Sequence, residues 1–445
     1  MIQYFPLRKL TKNPYSNSTI SFLILLILTS CASVKQIAIE KDASRLLNQS
    51  PIFSSHFTGF SIYDIELNQF IASHNSTLKF TPASNTKLLT AYTTLRTFSD
   101  SIPSLALQGI DSGFIVSPLG DPSFLYSPFK NQTVFEKLKS AKKILIHLPE
   151  SEVSPYGSGW AWDDYIYNYQ PQRSLWPIYG NTVSIKKAGD TLTITPPFFK
   201  DYVEILKQQR PGELIDRELK FNLFKAYLES DTSDFERIIP FEYSNELLLQ
   251  LLNDTLANEV NWYDGEAILT DTLYAQHIDS VLVKMLKPSD NFLAEQLLLM
   301  SARQSGFDEV KPFIKHIKTT WLAHLSDMVW VDGSGLSRYN LIAPVDQVRL
   351  LKNCLDEFGW ERMTALLPSG GEGTLKDLYL PLEEEEPFIF AKTGTLSNNH
   401  NLSGYLITKS GKRLIFSFMS NHYIRPTTEV KKAMEAFLQE IRNAY

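Results

Sequence analysis

The spacing of apolar and polar positions changes several times along the chain, and each change marks a different kind of element. Residues 57–66 and 69–73 alternate around Leu67-Asn68, the pattern of a hairpin. Residues 80–95 predict a turn feeding a helix: Pro82 suits the start, and Leu88, Leu89, Tyr92 and Leu95 recur at helical spacing. From about 106 to 270 the texture is short β-like runs, many aromatics and Gly/Pro punctuation. Helical periodicity dominates 278–301 and 310–325, two strand-like runs occupy 388–391 and 414–419, and a last helix spans about 428–441. These elements predict an α+β fold. An antiparallel sheet flanked by helices is split over 51–105 and 271–445, with a mostly β insertion over 106–270. The acidic run at 383–386 reads as a solvated loop.

The first thirty residues look like an address. Arg8, Lys9 and Lys12 precede an apolar run at 20–28, followed by Thr29-Ser30-Cys31. That is the order of a secretory signal, and the run falls short of the roughly 20 residues a spanning helix needs. Leu28-Thr29-Ser30-Cys31 also resembles the lipobox of bacterial lipoproteins, in which cleavage leaves the cysteine as a lipid-bearing N-terminus. The expectation is a signal over 1–30, lipidation at Cys31, a polar tether over 31–50, and an exported, periplasmic protein anchored to an envelope membrane. A plain cleaved signal or a buried Cys31 are the alternatives.

Composition narrows the functional classes. With 445 residues, 43% hydrophobic and 21% charged, the chain can bury a large core and hold two or three domains. A net charge of −6 and a pI near 5.8 exclude a global positive field of the kind that draws proteins to nucleic acid. Cys31 and Cys354 are the only cysteines, so a lipidated Cys31 leaves no disulfide.

Three motifs carry candidate chemistry: Ser84-Asn-Thr-Lys87, Ser289-Asp-Asn291 and Lys392-Thr-Gly394. Singly they are weak, since Ser-x-x-Lys starts at Ser76, Ser84, Ser127, Ser140 and Ser184, and Ser-x-Asn at Ser73, Ser289 and Ser397. Their order and setting are specific: a serine at a helix start, Ser-Asp-Asn opening a second helix, Lys-Thr-Gly on a late strand. This trio is an established signature of penicillin-binding proteins and class A β-lactamases. A serine hydroxyl attacks an acyl carbon only when a base takes its proton. Lys87, three positions on, shares a helical face with Ser84, but a lysine titrating near 10.4 is no base while charged. A second ammonium, from Lys392, is expected to lower Lys87. At about 4 Å and an effective dielectric near 20 the repulsion is about 4 kcal/mol, or roughly three pKa units. Ser289 is expected to relay a proton between Lys87 and the leaving nitrogen, and Asn291 to hold a substrate amide. The backbone N–H groups of Ser84 and Thr395 are expected to cradle the oxyanion, with Lys392, Thr393 and Gly394 facing a substrate carboxylate or backbone. Taken alone, Ser84, Ser289 and Asp290 could each be helix caps, and Lys392 an exposed strand residue.

With these motifs the chain resembles the D-alanyl-D-alanine carboxypeptidase/endopeptidases of low-molecular-mass class C, the S13 peptidases. The resemblance runs from about residue 57 to the C-terminus. It includes Gly120-Asp-Pro122, Trp160-Ala-Trp-Asp-Asp164, Asp332-Gly-Ser-Gly-Leu-Ser-Arg338 and Ala391-Lys-Thr-Gly-Thr-Leu396. Its hallmark is a long insertion between the first two motifs, and 205 positions (289 − 84) separate them here. The resemblance implies a penicillin-binding transpeptidase-like domain, acylation at Ser84 with Lys87 as base, peptidoglycan peptides as substrates, β-lactams as covalent inhibitors, and no cofactor or metal. It further implies that Asp164 and Arg338 recognise the free end of a diamino acid; the residues themselves leave open a helix cap and a turn brace. The insertion is shorter than in the longest relatives. Trp160, Trp162, Tyr165 and Tyr167 read as interdomain core before groove lining. A β-lactamase and a silent wall-binding scaffold are the rival functions. His-Glu-x-x-His and Gly-x-Ser-x-Gly are absent, which leaves metal hydrolysis and an α/β-hydrolase triad without a motif.

Overall fold

In the computed structural model, which describes residues 43, 45, 47, 49–150, 152–208, 214–229, 233–325, 327–383 and 385–445, the alternating segment forms the hairpin β1 (Phe57–Asp64) and β2 (Gln69–His74). Asn68 turns it at φ 52°, in the left-handed region that asparagine tolerates. Three C-terminal strands, β3 (Ile389–Leu396), β4 (Asn399–Ile407) and β5 (Arg413–Asn421), complete an antiparallel sheet in the order β3-β4-β5-β1-β2. Segments from the two ends of the chain thus meet in one sheet, as a split α+β domain requires. The Lys-Thr-Gly strand β3 lies at its edge.

Helices cover both faces. Leu88, Leu89 and Tyr92 of the serine helix (Lys87–Thr97) pack with Leu293 and Leu297 of the Asn291 helix (Asn291–Gln304) against one face. The C-terminal helix (Thr427–Ala444) buries Val430, Met434, Phe437, Leu438 and Ile441 against the other. At roughly 1.5–3 kcal/mol per fully buried large apolar side chain, that stripe alone holds the helix down. Among the described residues no helix is long and apolar enough to cross a membrane.

The 278–301 periodicity is two helices. Ile278–Leu286 and Asn291–Gln304 are separated at Pro288-Ser289, where proline removes a donor and Ser289 adopts φ 69°. Among the described residues the insertion carries two three-stranded sheets, a five-stranded sheet and its own apolar core around Trp176, Phe199 and Phe241. Its strand Ser101–Ile110 runs across the expected edge at 105/106, and the partner strand Asp271–His277 begins at the expected edge 270/271.

The expected 31–50 tether is shortened. Ala43, Arg45, Leu47 and Gln49 are helical, and Ala43 and Leu47, four apart on one face, are buried in the same core as Phe437. The polar residues around them, Asp42, Ser44, Arg45, Asn48 and Gln49, concealed that stripe. The expected signal over 1–30 and Cys31 lie outside the described residues.

Candidate active site

The serine sits on a turn held from several directions. Ala83 to Thr86 form a 3-10 turn running into the serine helix, and Ala83 has φ 49°, a conformation of order 1–2 kcal/mol unfavourable for a residue with Cβ. The surroundings fix it. Asn85 donates to the Lys392 carbonyl at 2.7 Å and accepts from Ser403 Oγ at 2.7 Å, which ties the turn to β3 and β4. A Cβ on Gly394 would meet the Pro82 carbonyl oxygen at 2.3 Å, and one on Gly335 (φ 81°) the Ala83 carbonyl oxygen at 1.9 Å. Only glycine fits either approach. Neither the turn nor the helix uses Ser84 as a side-chain cap.

Lys87 is fully buried, and its Nζ reaches Ser84 Oγ at 2.9 Å, Asn291 Oδ1 at 2.6 Å and the Ser334 carbonyl at 2.8 Å. The Asn291 amide is oriented from its other end, because Nδ2 donates to the Tyr169 carbonyl at 2.8 Å, and a carbonyl can only accept. Two of the three partners of Lys87 are therefore acceptors, and only the serine hydroxyl can donate. A neutral amine, with two N–H groups and one lone pair, satisfies that shell completely.

Lys392, also fully buried, donates to Ser289 Oγ and to the Thr393 carbonyl, each at 2.9 Å. Asp290, not Ser289, caps the following helix through the Leu293 N–H at 2.9 Å, and its second oxygen accepts from Tyr126 at 2.6 Å. The structure thus brings Ser84, Lys87, Ser289, Asn291 and Lys392 together.

Burial is the main cause of the altered lysines. It pushes Lys87 down to about 8, and Asp290, Glu295 and Asp332 pull it part of the way back. Lys392 is driven well below its ordinary value by burial and then by the charge of Lys87. The two lysine motifs predict repulsion from Lys392 as what lowers Lys87. Loss of water comes first, a contribution invisible without the fold, and the repulsion shows on the partner. The two amines titrate as a pair. The expected relay from Lys87 through Ser289 is also redirected: the hydroxyl of Ser289 bonds Lys392.

Strand β3 offers an open edge. The Ala391 N–H leaves the sheet to reach the Pro368 carbonyl at 3.0 Å. By the two-residue period of an antiparallel ladder without register shift, Thr393 and Thr395 aim their peptide groups the same way. The Thr395 N–H therefore points off the edge on the side of Ser84. The Thr395 hydroxyl meets His400 Nδ1 at 2.8 Å, and burial, followed by the charges of Lys431 and Lys392, holds that imidazole neutral, down to about 3. Ser84, Ser289, Thr393 and Thr395 line a cavity of about 470 Å³, while Ser289, Asp290, Asn291 and Tyr169 line a second of about 620 Å³.

Asp164 and Arg338 stand farther out. Half-buried Asp164 accepts from the Tyr169 hydroxyl at 2.9 Å, which links it to the Tyr169–Asn291 contact. Exposed Arg338 donates twice to the Ser397 carbonyl at 3.3 Å, just past the end of β3. Trp162 is 76% exposed and Tyr167 37%, so neither is interdomain core; Trp160 donates to Asp332 at 2.9 Å.

Motif reading missed the supports. Asp332 accepts from Trp160, Gly335, Ser337 and Asn340, folding the loop that presents the Ser334 carbonyl to Lys87. A backbone acceptor leaves no side-chain signal. The Asp332-Gly-Ser-Gly string was the available hint.

The chain matches the profile of the D-Ala-D-Ala carboxypeptidase 3 (S13) family over residues 39–213 and 255–441. It is 24% identical over 434 residues to the D-alanyl-D-alanine carboxypeptidase DacB of Haemophilus influenzae, covering 87% of this chain and 90% of that one. The crystal structure of penicillin binding protein 4 (dacB) from the same organism superposes with a TM-score of 0.70 at 21% identity, covering 90% and 98% of the two chains. A predatory peptidoglycan endopeptidase from Bdellovibrio bacteriovorus shares the fold at a TM-score of 0.51 and 13% identity, covering 86% and 90%.

Proposed function

Because this chain belongs to the D-Ala-D-Ala carboxypeptidase 3 (S13) family, we propose that it hydrolyses the D-Ala-D-Ala end of peptidoglycan stem peptides, and the chemically equivalent crosslink, through an acyl-enzyme on Ser84. The observation that carries this reading is the shell of Lys87: two fixed acceptors and one hydroxyl around a buried amine whose affinity for a proton is lowered to about 8.

The substrate lies along the edge of β3, with its scissile carbonyl oxygen between the N–H groups of Ser84 and Thr395. Its carboxylate faces Lys392 and Thr393 and stabilises the charge on Lys392, so Lys87 is the amine of the pair that gives up its proton, near pH 8. Lys87 takes the Ser84 proton, Oγ bonds to the carbonyl carbon, and the oxyanion is held by the two N–H groups. On collapse the C–N bond breaks, and the departing nitrogen receives a proton through Ser289 from Lys392, which takes one back from Lys87 and leaves Lys87 neutral again. A water molecule, deprotonated by Lys87 in turn, then releases the acyl peptide and restores Ser84. Asn291 has a second N–H on Nδ2 for the substrate amide. A β-lactam presents the same carboxylate and a strained amide, so it acylates Ser84 by the same first half.

Asp164 and Arg338 supply a carboxylate and a guanidinium for the ammonium and carboxylate of a diamino acid. Digestion of purified monomeric and crosslinked muropeptides tests this. Wild type is expected to release D-Ala and to split dimers. Asp164→Ala is expected to raise KM about tenfold on peptides with a free ammonium, the scale of one charge-assisted hydrogen bond, and to leave β-lactam acylation unchanged. Rapid turnover of penicillin with no muropeptide cleavage would instead favour a β-lactamase.

As a member of a cell-wall enzyme family the protein works in the envelope. We propose lipid attachment at Cys31, supported by the apolar run at 20–28 and the Leu-Thr-Ser-Cys string that follows it. Cys31→Ala is expected to move the protein from the membrane pellet to the soluble fraction; an unchanged pellet fraction rejects the anchor.

A further inference from the structure

The cavity beside Ser84 extends well beyond the reacting groups. From Thr393 and Thr395 it continues between the segment Gly373 to Leu378 and the first turns of the C-terminal helix, where Lys376, Lys431 and Lys432 line it with a single carboxylate, Asp377. That carboxylate is only loosely engaged, 4.0 Å from Lys376 with both side chains more than three-quarters exposed. Lys431 and Lys432 take part in no ion pair among the described residues. The nearby acids are occupied elsewhere: Glu429 lies 3.5 Å from Arg425, and Glu435 accepts from the Tyr379 N–H. Thr428 and Lys431 stand in the first two turns of an 18-residue helix, so the positive end of its dipole adds to the ammonium groups. Lys431 is near enough to the oxyanion strand for its charge to bear on His400, the partner of Thr395.

We propose that this basic extension is a subsite for the departing peptide of a crosslink and binds the additional carboxylates which that peptide carries. The inference rests on the acyl-enzyme reading given above and adds a preference among its substrates. The acyl side is accounted for by the second cavity, where Asn291 and Tyr169 lead toward Asp164. The departing side therefore falls to the first. A lone departing alanine brings one carboxylate, which Lys392 and Thr393 already meet, and fills a small part of about 470 Å³. A second peptide strand leaves through the same opening with further carboxylates, and the unpaired lysines are where it must pass.

The test compares the full-length protein with its Lys376→Ala/Lys432→Ala double variant. Both side chains are exposed, and the variant leaves Lys431, next to His400, in place. Steady-state kinetics are taken on a monomeric pentapeptide and on a crosslinked peptide dimer. Two exposed charge contacts, each worth a few-fold at low salt, predict about a tenfold rise in KM for the dimer with kcat nearly constant, and less than a twofold change for the monomer. The difference is expected to shrink at high salt and to be restored in Lys376→Arg/Lys432→Arg. Equal losses on both substrates, or none on the dimer, overturn the subsite. Labelling of Ser84 by a fluorescent penicillin in the same preparations separates the two levels. Labelled proteins without discrimination reject the subsite alone, and an unlabelled wild type rejects the acyl-enzyme reading together with it.

Discussion

Ser84→Ala is expected to lower D-Ala release and dimer cleavage by about 10⁴-fold or more, and to abolish covalent penicillin labelling, while the protein stays folded. The loss is large because the hydroxyl is the atom that bonds to the acyl carbon; the oxyanion donors that remain can polarise a carbonyl but cannot form the intermediate. The fold is expected to survive because the Ser84 side chain caps no helix. Its removal withdraws one hydrogen bond from Lys87, a change of order 1–2 kcal/mol. Rate assays together with thermal melting separate the two effects: a melting temperature within a few degrees of wild type with activity gone is the expected pair. Residual cleavage within a hundredfold of wild type would move the nucleophile elsewhere.

Lys87→Met is the second large effect. Methionine preserves the length of the side chain and removes the lone pair, so acylation is expected to slow by about 10³- to 10⁴-fold, the upper part of what one positioned base contributes. Stability responds in two directions. The variant no longer buries an amine that is charged at neutral pH, which favours it. It also leaves Asn291 Oδ1 and the Ser334 carbonyl without their donor, at about 1–3 kcal/mol each. The net change is expected to be a few kcal/mol at most, measured by urea unfolding, against a kinetic loss that no such shift explains. Penicillin binding before acylation is expected to persist, since Lys392 and Thr393 are untouched. A variant that acylates at the wild-type rate would leave Lys87 a structural residue.

Much of this arrangement was legible in the sequence. The three motifs, the long gap between the first two, the opening hairpin and the amphipathic last helix all appear as residue types at the right spacing, and the split α+β sheet follows from them. The strand β4 did not. Its Asn399, His400, Asn401 and Ser403 are buried polar residues, and two of them bond the segment around the serine turn: Asn401 donates to the Thr81 carbonyl and Ser403 to Asn85. A strand buried on both faces carries no alternation, and inward-facing polar groups disguise it as a loop. The cause of the lowered lysines was hidden for a related reason. Coulomb repulsion can be anticipated from two lysines in two motifs, but removal of water depends on what the rest of the chain packs around them. Arg338 was expected beside Gly333 to Gly335 or at a substrate carboxylate, and its observed partner is a backbone carbonyl at Ser397, a contact that composition cannot signal.

The central claim is that a buried, uncharged Lys87 removes the proton of Ser84, and the rate of acylation by a penicillin followed from pH 6 to pH 10 tests it most directly. The base works only when unprotonated, and burial brings its proton loss to about 8. The second-order rate constant is therefore expected to climb about tenfold per unit below that point, to bend near pH 8, and to lose this limb in Lys87→Met. A wild-type profile that stays flat across this range, or one that bends near the 10.4 of an ordinary lysine, would contradict the account.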